Sequence, residues 1–273
     1  IFQCDDFWFS VTLLYIVIPG NKMNNFVCVC TGTKYGTQYV DKLYNMATRH
    51  ATDFKFHVIT DAKKNWRQEI NQIIVDPIYP TWWNKIHMFR DDLGIEGRVL
   101  FMDLDVVIFR NIDHFWDFEG DAFIIIQDFN RCRIKNYPVR NSSVMKFHPG
   151  CENQVWEEFN KNKMAVINRM HGDQDWVTKM LPQSNMWPRD WIMSYKWEMG
   201  VHVRKPEFGQ RHHIIDGRTI VENTLVIKDG VKQNVTTYKK PPTTEETCVA
   251  VFHGRPNPEQ CIEDPLVADN WRL

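Results

Sequence analysis

No excess charge of either sign marks this chain: 33 Lys and Arg stand against 34 Asp and Glu over 273 residues, a net charge of −1. Sequence-tolerant nucleic-acid binding depends on a dominant positive surface, so nucleic acid is not expected as a partner. A disulfide framework is also missing. The seven cysteines (Cys4, Cys28, Cys30, Cys132, Cys151, Cys248 and Cys261) are odd in number, scattered and without a C-x-x-C pair, which reads as reduced thiols in a cytoplasmic protein. The longest apolar run, Phe7 to Pro19, is too short for a membrane-spanning helix, and Asp5-Asp6 stand where a secretory leader would carry basic residues. Residues 1–22 therefore read as an N-terminal extension outside the fold, with 23–273 as a single domain. No internal repeat or low-complexity tract is present.

What the chain does have is aromatic residues, 13% of the total and including 11 Trp. Most of these serve as core filler, and the remainder offer stacking platforms for planar or sugar rings. From Asn25 onward strand-like and helix-like segments alternate. Strands are predicted at Phe26–Cys30, Phe54–Thr60, Ile70–Val75, Arg98–Met102, Ala122–Gln127 and Cys248–Phe252. Helices are predicted at Gln38–His50, Asn84–Leu93, Val155–Phe159 and Gln174–Met180. Val106–Phe109 reads as a further strand or a bend. Ile214-Ile215, Thr219–Val221 and Leu225–Ile227 read as short strands with Asp-Gly turns at 216–217 and 229–230. This alternation predicts an open α/β sheet of parallel strands. Such sheets bind ligands outside the carboxyl ends of their strands. Three polar sets lie there: Thr31, Thr33 and Tyr35; Asp61; and Asp103 with Asp105.

The sharpest of these is Phe101-Met102-Asp103-Leu104-Asp105. Two carboxylates at a strand end can point into one cleft, where like charges are costly unless a cation compensates them. Oxygen ligands select hard divalent ions, so Mn²⁺ or Mg²⁺ is the expected cofactor. Asp103 to Val107 also fits the D-x-D-x-[TV] string of haloacid dehalogenase-like phosphatases, in which Asp103 would be the nucleophile. That pattern wants a downstream G-D-x-x-x-D, and here Gly172-Asp173 is followed by Val177.

A second resemblance covers residues 26–258. Its motifs, in chain order, are Thr31-Gly32-Thr33-Lys34-Tyr35, Trp83-Asn84-Lys85-Ile86-His87, Arg98 to Phe115, Asn141-Ser142-Ser143, Gly172-Asp173-Gln174-Asp175 and Val251 to Pro256. Together they resemble the nucleotide-sugar glycosyltransferases of the GT-A type, most closely glycosyltransferase family 8 and glycogenin-like enzymes. Ser143 stands where the family has Gly, and Asn257 where it often has Lys.

The resemblance implies a GT-A (nucleotide-diphospho-sugar transferase) fold, with a mostly parallel Rossmann-like central sheet flanked by helices. It implies a UDP-sugar donor, a glycan or other acceptor, and retention of anomeric configuration. Asp103, Asp105 and His253 would be metal ligands. Thr31, Thr33, Tyr35, Asp61, Lys85, Asp103, Asn141, Ser142, Gly254 and Arg255 would face the donor, and Asp173 and Gln174 would lie near its anomeric carbon. Independently of the family, a diphosphate leaving group needs its developing charge neutralised, which a held cation, Lys85 and Arg255 would do. A non-catalytic carbohydrate-binding protein is the remaining alternative. Trp82, Trp83, Trp187 and Trp191 are read as core packing or acceptor stacking. His212-His213 is not read as a metal pair, because neighbours on an extended segment point apart.

Overall fold

The computed structural model describes residues 23–132, 134, 136–199, 220–228, 231–239 and 243–273. The expectations at residues 1–22, His212-His213, Ile214-Ile215 and the two Asp-Gly turns lie outside the described residues. The main sheet has seven strands: β1 (Asn24–Cys30), β2 (Phe54–Thr60), β3 (Ile70–Ile74), β4 (Arg98–Met102), β6 (Ile124–Gln127), β7 (Arg140–Phe147) and β8 (Asn185–Met186). Their spatial order is β3-β2-β1-β4-β7-β6-β8. All pairings are parallel except those made by β7, which runs antiparallel to both β4 and β6. A smaller sheet sets β12 (Val249–Val251) between β5 (Val106–Ile108) and β9 (Ile192–Ser194). β10 (Ile220–Lys228) and β11 (Val231–Lys239) pair with each other as an antiparallel hairpin.

Alternation along the strands feeds two cores. Phe26, Cys28, Leu100 and Met102 face one layer, with α1 (Thr37–His50), α2 (Asp113–Asp117) and α6 (Pro265–Asn270) contributing Tyr39, Leu43, Trp116 and Val267. Val27, Val99 and Phe101 face the other, where α3 (Gln154–Lys161) and α5 (Asp173–Met180) supply Val155, Phe159, Trp176 and Val177. A sheet covered on both faces explains why Val99 to Met102 of β4 read as an unbroken apolar run. Among the described residues, no helix is long and apolar enough to cross a membrane.

Three differences from the sequence reading have physical causes. The helix expected at Asn84–Leu93 is a 3-10 helix spanning Thr81–Phe89. Trp83, Ile86 and Phe89, three residues apart and essentially fully buried, eclipse one another only at three residues per turn. The Asn84 amide clips the preceding loop, accepting from the Ile78 N–H at 2.7 Å and donating to the Ile78 and Thr81 carbonyls at 2.9 and 2.8 Å. Second, β7 is hidden in sequence by its polar start and by Lys146. That lysine is 1% exposed, and its ammonium donates to the Phe118 and Gly120 carbonyls. Third, residues 220–221 and 225–227, expected in two short strands, belong to the single nine-residue β10, while Thr219 lies outside the described residues.

His57 on β2 is buried and bonded through Nε2 to Asn25 Oδ1 at 3.0 Å. Burial, reinforced by the charge of Lys55, lowers its pKa to about 4. Between pH 6.5 and about 4 the unfolded chain therefore binds the extra proton, and this histidine's contribution to stability falls as pH falls. The unfolding free energy of His57→Gln relative to the parent is expected to improve by about 1 kcal/mol as pH drops from 6.5 to 4.5. A difference independent of pH in denaturant titrations would refute this.

Candidate functional site

Strand order reverses between β1 and β4: β2 and β3 build outward on one side of β1, and β4 starts the other side. That reversal opens a crevice beyond the carboxyl ends of β1 and β4, where open α/β sheets bind ligands. Asp103 follows β4 there. β7 runs the opposite way, so its first residues rather than its last arrive beside Asp103. Met102 is in register with Val144, and the Asp103 N–H donates to the Ser143 carbonyl at 2.9 Å.

Lys85, on the 3-10 helix, joins these elements. Its Nζ lies 2.8 Å from Asp103 Oδ2, 3.3 Å from Ser142 Oγ and 3.6 Å from Asp173 Oδ2. Ser142 Oγ donates to Asp173 Oδ2 at 2.5 Å. Asp173 is the first residue of α5 and is buried. Beside it Asn141 Nδ2 reaches Gln174 Oε1 at 3.5 Å, and Asn141 Oδ1 accepts from the Ser143 N–H at 3.0 Å. Four sequence segments thus meet around one ammonium group. Burial lowers the Lys85 pKa, but Asp103 and Asp173 more than reverse that and carry it above that of a free lysine.

Among the described residues, no lysine forms an ion pair with Asp105. Burial first, and the neighbouring Asp103 second, push its carboxyl up to about 6, against the hydrogen bond that the Tyr35 hydroxyl donates at 2.8 Å. Burial also raises Asp103, with Lys85 pulling it back. Burial and Asp105 keep the Tyr35 phenol protonated well beyond its usual range. The pair fits a hard cation: these are neighbouring carboxylates in a poorly solvated place, and Lys85 and Lys34 only partly offset the charge of Asp105.

Other expected site residues lie elsewhere or play framing parts. Asp61 accepts from the Gly32 N–H at 2.8 Å and faces Lys64 at 3.7 Å, so it shapes the Thr31–Tyr35 loop from below. Gly32 has φ +66, which favours glycine. Thr31 is half-buried and Thr33 exposed. The C-terminal strand approaches the acidic pair through its backbone, the Phe252 N–H donating to the Asp105 carbonyl at 2.9 Å. The side chain of His253, however, turns to Ser194, with Nε2 and Oγ 2.6 Å apart, and stacks on Phe129. Among the described residues no three His, Cys, Asp or Glu side chains converge as a metal-holding group. Gly254 has φ +76, and Arg255 is exposed, its carbonyl accepting from Lys196 Nζ at 3.3 Å.

Sequence reasoning missed Ser194 and the pair behind it. Arg131 and Glu198 form a buried two-pronged ion pair, both bonds 2.9 Å, and Glu198 also accepts from the Ser194 N–H at 3.0 Å. Nothing in the local sequence marks them, since 67 residues separate the partners.

The sequence matches no protein-family model and no curated protein. Solved structures do share its fold. The galactosyltransferase LgtC, in complex with donor and acceptor sugar analogs, superposes with a TM-score of 0.59 at 14% identity over 91% of this chain and 97% of that one. The chain has a GT-A fold. An active-site mutant of LgtC gives a TM-score of 0.57 at 13% identity with the same coverage. The apo form of the glycosyltransferase GlyE from Streptococcus pneumoniae TIGR4 gives 0.51 at 12% identity over 65% of this chain, which spans about half of GlyE (48%).

If Lys85 compensates the carboxylates of this GT-A crevice, removing its charge leaves them unpaired. Lys85→Met is expected to lower the unfolding free energy by about 2 kcal/mol, and adding Asp103→Asn to restore about half of it. Urea titrations in which the double variant is no more stable than Lys85→Met would contradict the pairing.

Proposed function

We propose that the protein is a glycosyltransferase that moves a sugar from a UDP-sugar donor to a glycan or other acceptor, assisted by Mn²⁺ or Mg²⁺. The observation that carries this reading is the meeting of Lys85, Asp103, Ser142 and Asp173 at the crevice where the sheet order reverses. The order of motifs along the chain supports it, and so does the fold shared with LgtC, itself solved with donor and acceptor sugar analogs. Asp103 and Asp105 would hold the divalent ion, with His253 as the third ligand that the resemblance implies. When bound, the ion neutralises charge developing on the departing diphosphate.

The chain's own residues do the rest. Lys85 holds its proton and presents a fixed positive charge to the donor while orienting Asp103 and Asp173. Ser142 and Asn141 fix Asp173 and Gln174, the residues proposed to face the anomeric carbon. Thr31, Thr33 and Tyr35 would line the uridine end, on a loop braced by Asp61, and Gly254 with Arg255 would close the phosphate end. Retention of configuration follows from the resemblance to family 8. Residues 23–273 would form one transferase domain, working in the cytoplasm as the scattered thiols suggest.

The test is UDP release from a panel of UDP- and GDP-sugars. Release is expected with Mn²⁺ from at least one UDP-sugar, to be abolished by EDTA, and to fall by at least about a hundredfold in Asp103→Asn. Hydrolysis of p-nitrophenyl phosphate without nucleotide-sugar turnover would replace the reading with the phosphatase. Glycan binding indifferent to EDTA and to Asp103→Asn, with no turnover, would replace it with a carbohydrate-binding protein.

A further inference from the structure

Of the four tryptophans singled out in the sequence, three are packed. Trp83 and Trp187 are buried, and Trp191 is half-buried against Phe115 and Phe118. Trp82 is 52% exposed. Among the residues whose side chains are described, the exposed Phe, Tyr and Trp are Trp82 and Tyr79, the latter at 66%. Both sit on one four-residue stretch, and that stretch enters the candidate site.

Its position is specific. In a 3-10 helix the side chains of residues three apart eclipse, about 6 Å apart along the axis. Trp82 and Lys85 therefore share one face, and Lys85 is the group bonded to Asp103 and close to Asp173. The indole edge also lies against the residue that precedes Asp173: a Cβ placed on Gly172 would sit 3.8 Å from Trp82 Cδ1 and 3.9 Å from Nε1. Trp82 thus borders the side of the crevice where Asp173 and Gln174 stand.

The stretch is also braced. Asn84, fully buried, ties Ile78 and Thr81 together through three hydrogen bonds, and the Trp83 N–H donates to the Pro80 carbonyl at 3.1 Å. An isolated exposed apolar side chain is ordinary on a protein surface. An exposed indole on a clipped loop, on the helix face of Lys85 and against the residue before Asp173, forms a surface of a different kind. Flat apolar faces rimmed by hydrogen-bonding groups suit a ligand that is itself apolar on its ring faces and hydroxylated at its edges. Held rigid in advance, such rings lose little conformational freedom on binding.

We propose that Trp82, three residues after the exposed Tyr79, is the stacking platform for a pyranose ring of the acceptor, so that the acceptor is a glycan rather than a protein or lipid hydroxyl. This rests on the transferase reading, in which the nucleotide lies toward Thr31–Tyr35 and the transferred sugar near Asp173.

The experiment is a glycan array probed with the parent, Trp82→Ala, Trp82→Phe and Tyr79→Ala in the presence of UDP and Mn²⁺, alongside calorimetric titration of UDP into each. The exposed positions leave thermal unfolding of the variants close to the parent, which circular dichroism checks. The parent is expected to retain a set of glycans, Trp82→Ala to bind them about tenfold more weakly, and Trp82→Phe to keep most of the affinity. UDP affinity is expected to stay the same in all four. A parent that retains no glycan, a Trp82→Ala that binds glycans equally well, or a parallel loss of UDP affinity would overturn the proposal. Glycan binding by a parent that binds no UDP would instead overturn the transferase reading while upholding the stacking surface.

Discussion

The charge of Lys85 is the constraint on which the site depends. Asp103 and Asp173 come from the end of β4 and the start of α5, and neither carboxylate would sit comfortably beside the other without a cation between them. In the same layer as α5, the lysine is brought in on a short 3-10 helix, whose tight winding aims Trp83, Ile86 and Phe89 into the core while Lys85 faces the crevice. A looser helix over the same residues would not keep both faces in register. The charge network and the local helix type are therefore one arrangement.

The sheet supplies the place and β7 supplies the neighbours. Parallel strands β1 and β4 deliver the Thr31–Tyr35 loop and Asp103 to the same edge. The reversed direction of β7 brings Asn141 and Ser142 there as well, because its polar start lies where β4 ends. The polar character that obscures β7 in the sequence is thus a consequence of its lining the crevice. Asp105 marks what the protein side leaves unfinished, a carboxylate raised to about 6 by burial and by Asp103.

Much of this was legible in sequence. β2 and β4 run over the residues that their apolar patterns delimit, and the carboxylate pair at the end of β4 stands where strand-end logic puts it. Period-three packing at 81–89 escaped because a 3.6-residue template accepts most of the same apolar positions. β7 escaped because a strand that carries Asn141, Ser142 and a buried lysine has no alternation to read. His253 illustrates a different limit. Its motif neighbours place it after the last core strand, and its backbone does come alongside Asp105. Its ring, though, is engaged by Ser194, which Glu198 and Arg131 hold through a long-range ion pair invisible to local pattern.

The central claim is that the crevice at Asp103 receives a nucleoside diphosphate together with a divalent cation. The most direct measurement is a crystal structure grown with UDP and Mn²⁺, with the ion located by its anomalous signal. The account predicts manganese within bonding distance of the Asp103 and Asp105 carboxylates and the diphosphate beside it, with Lys85 still near Asp103. Manganese and UDP bound away from Asp103 and Asp105, or a crevice that admits neither at saturating concentration, would contradict it.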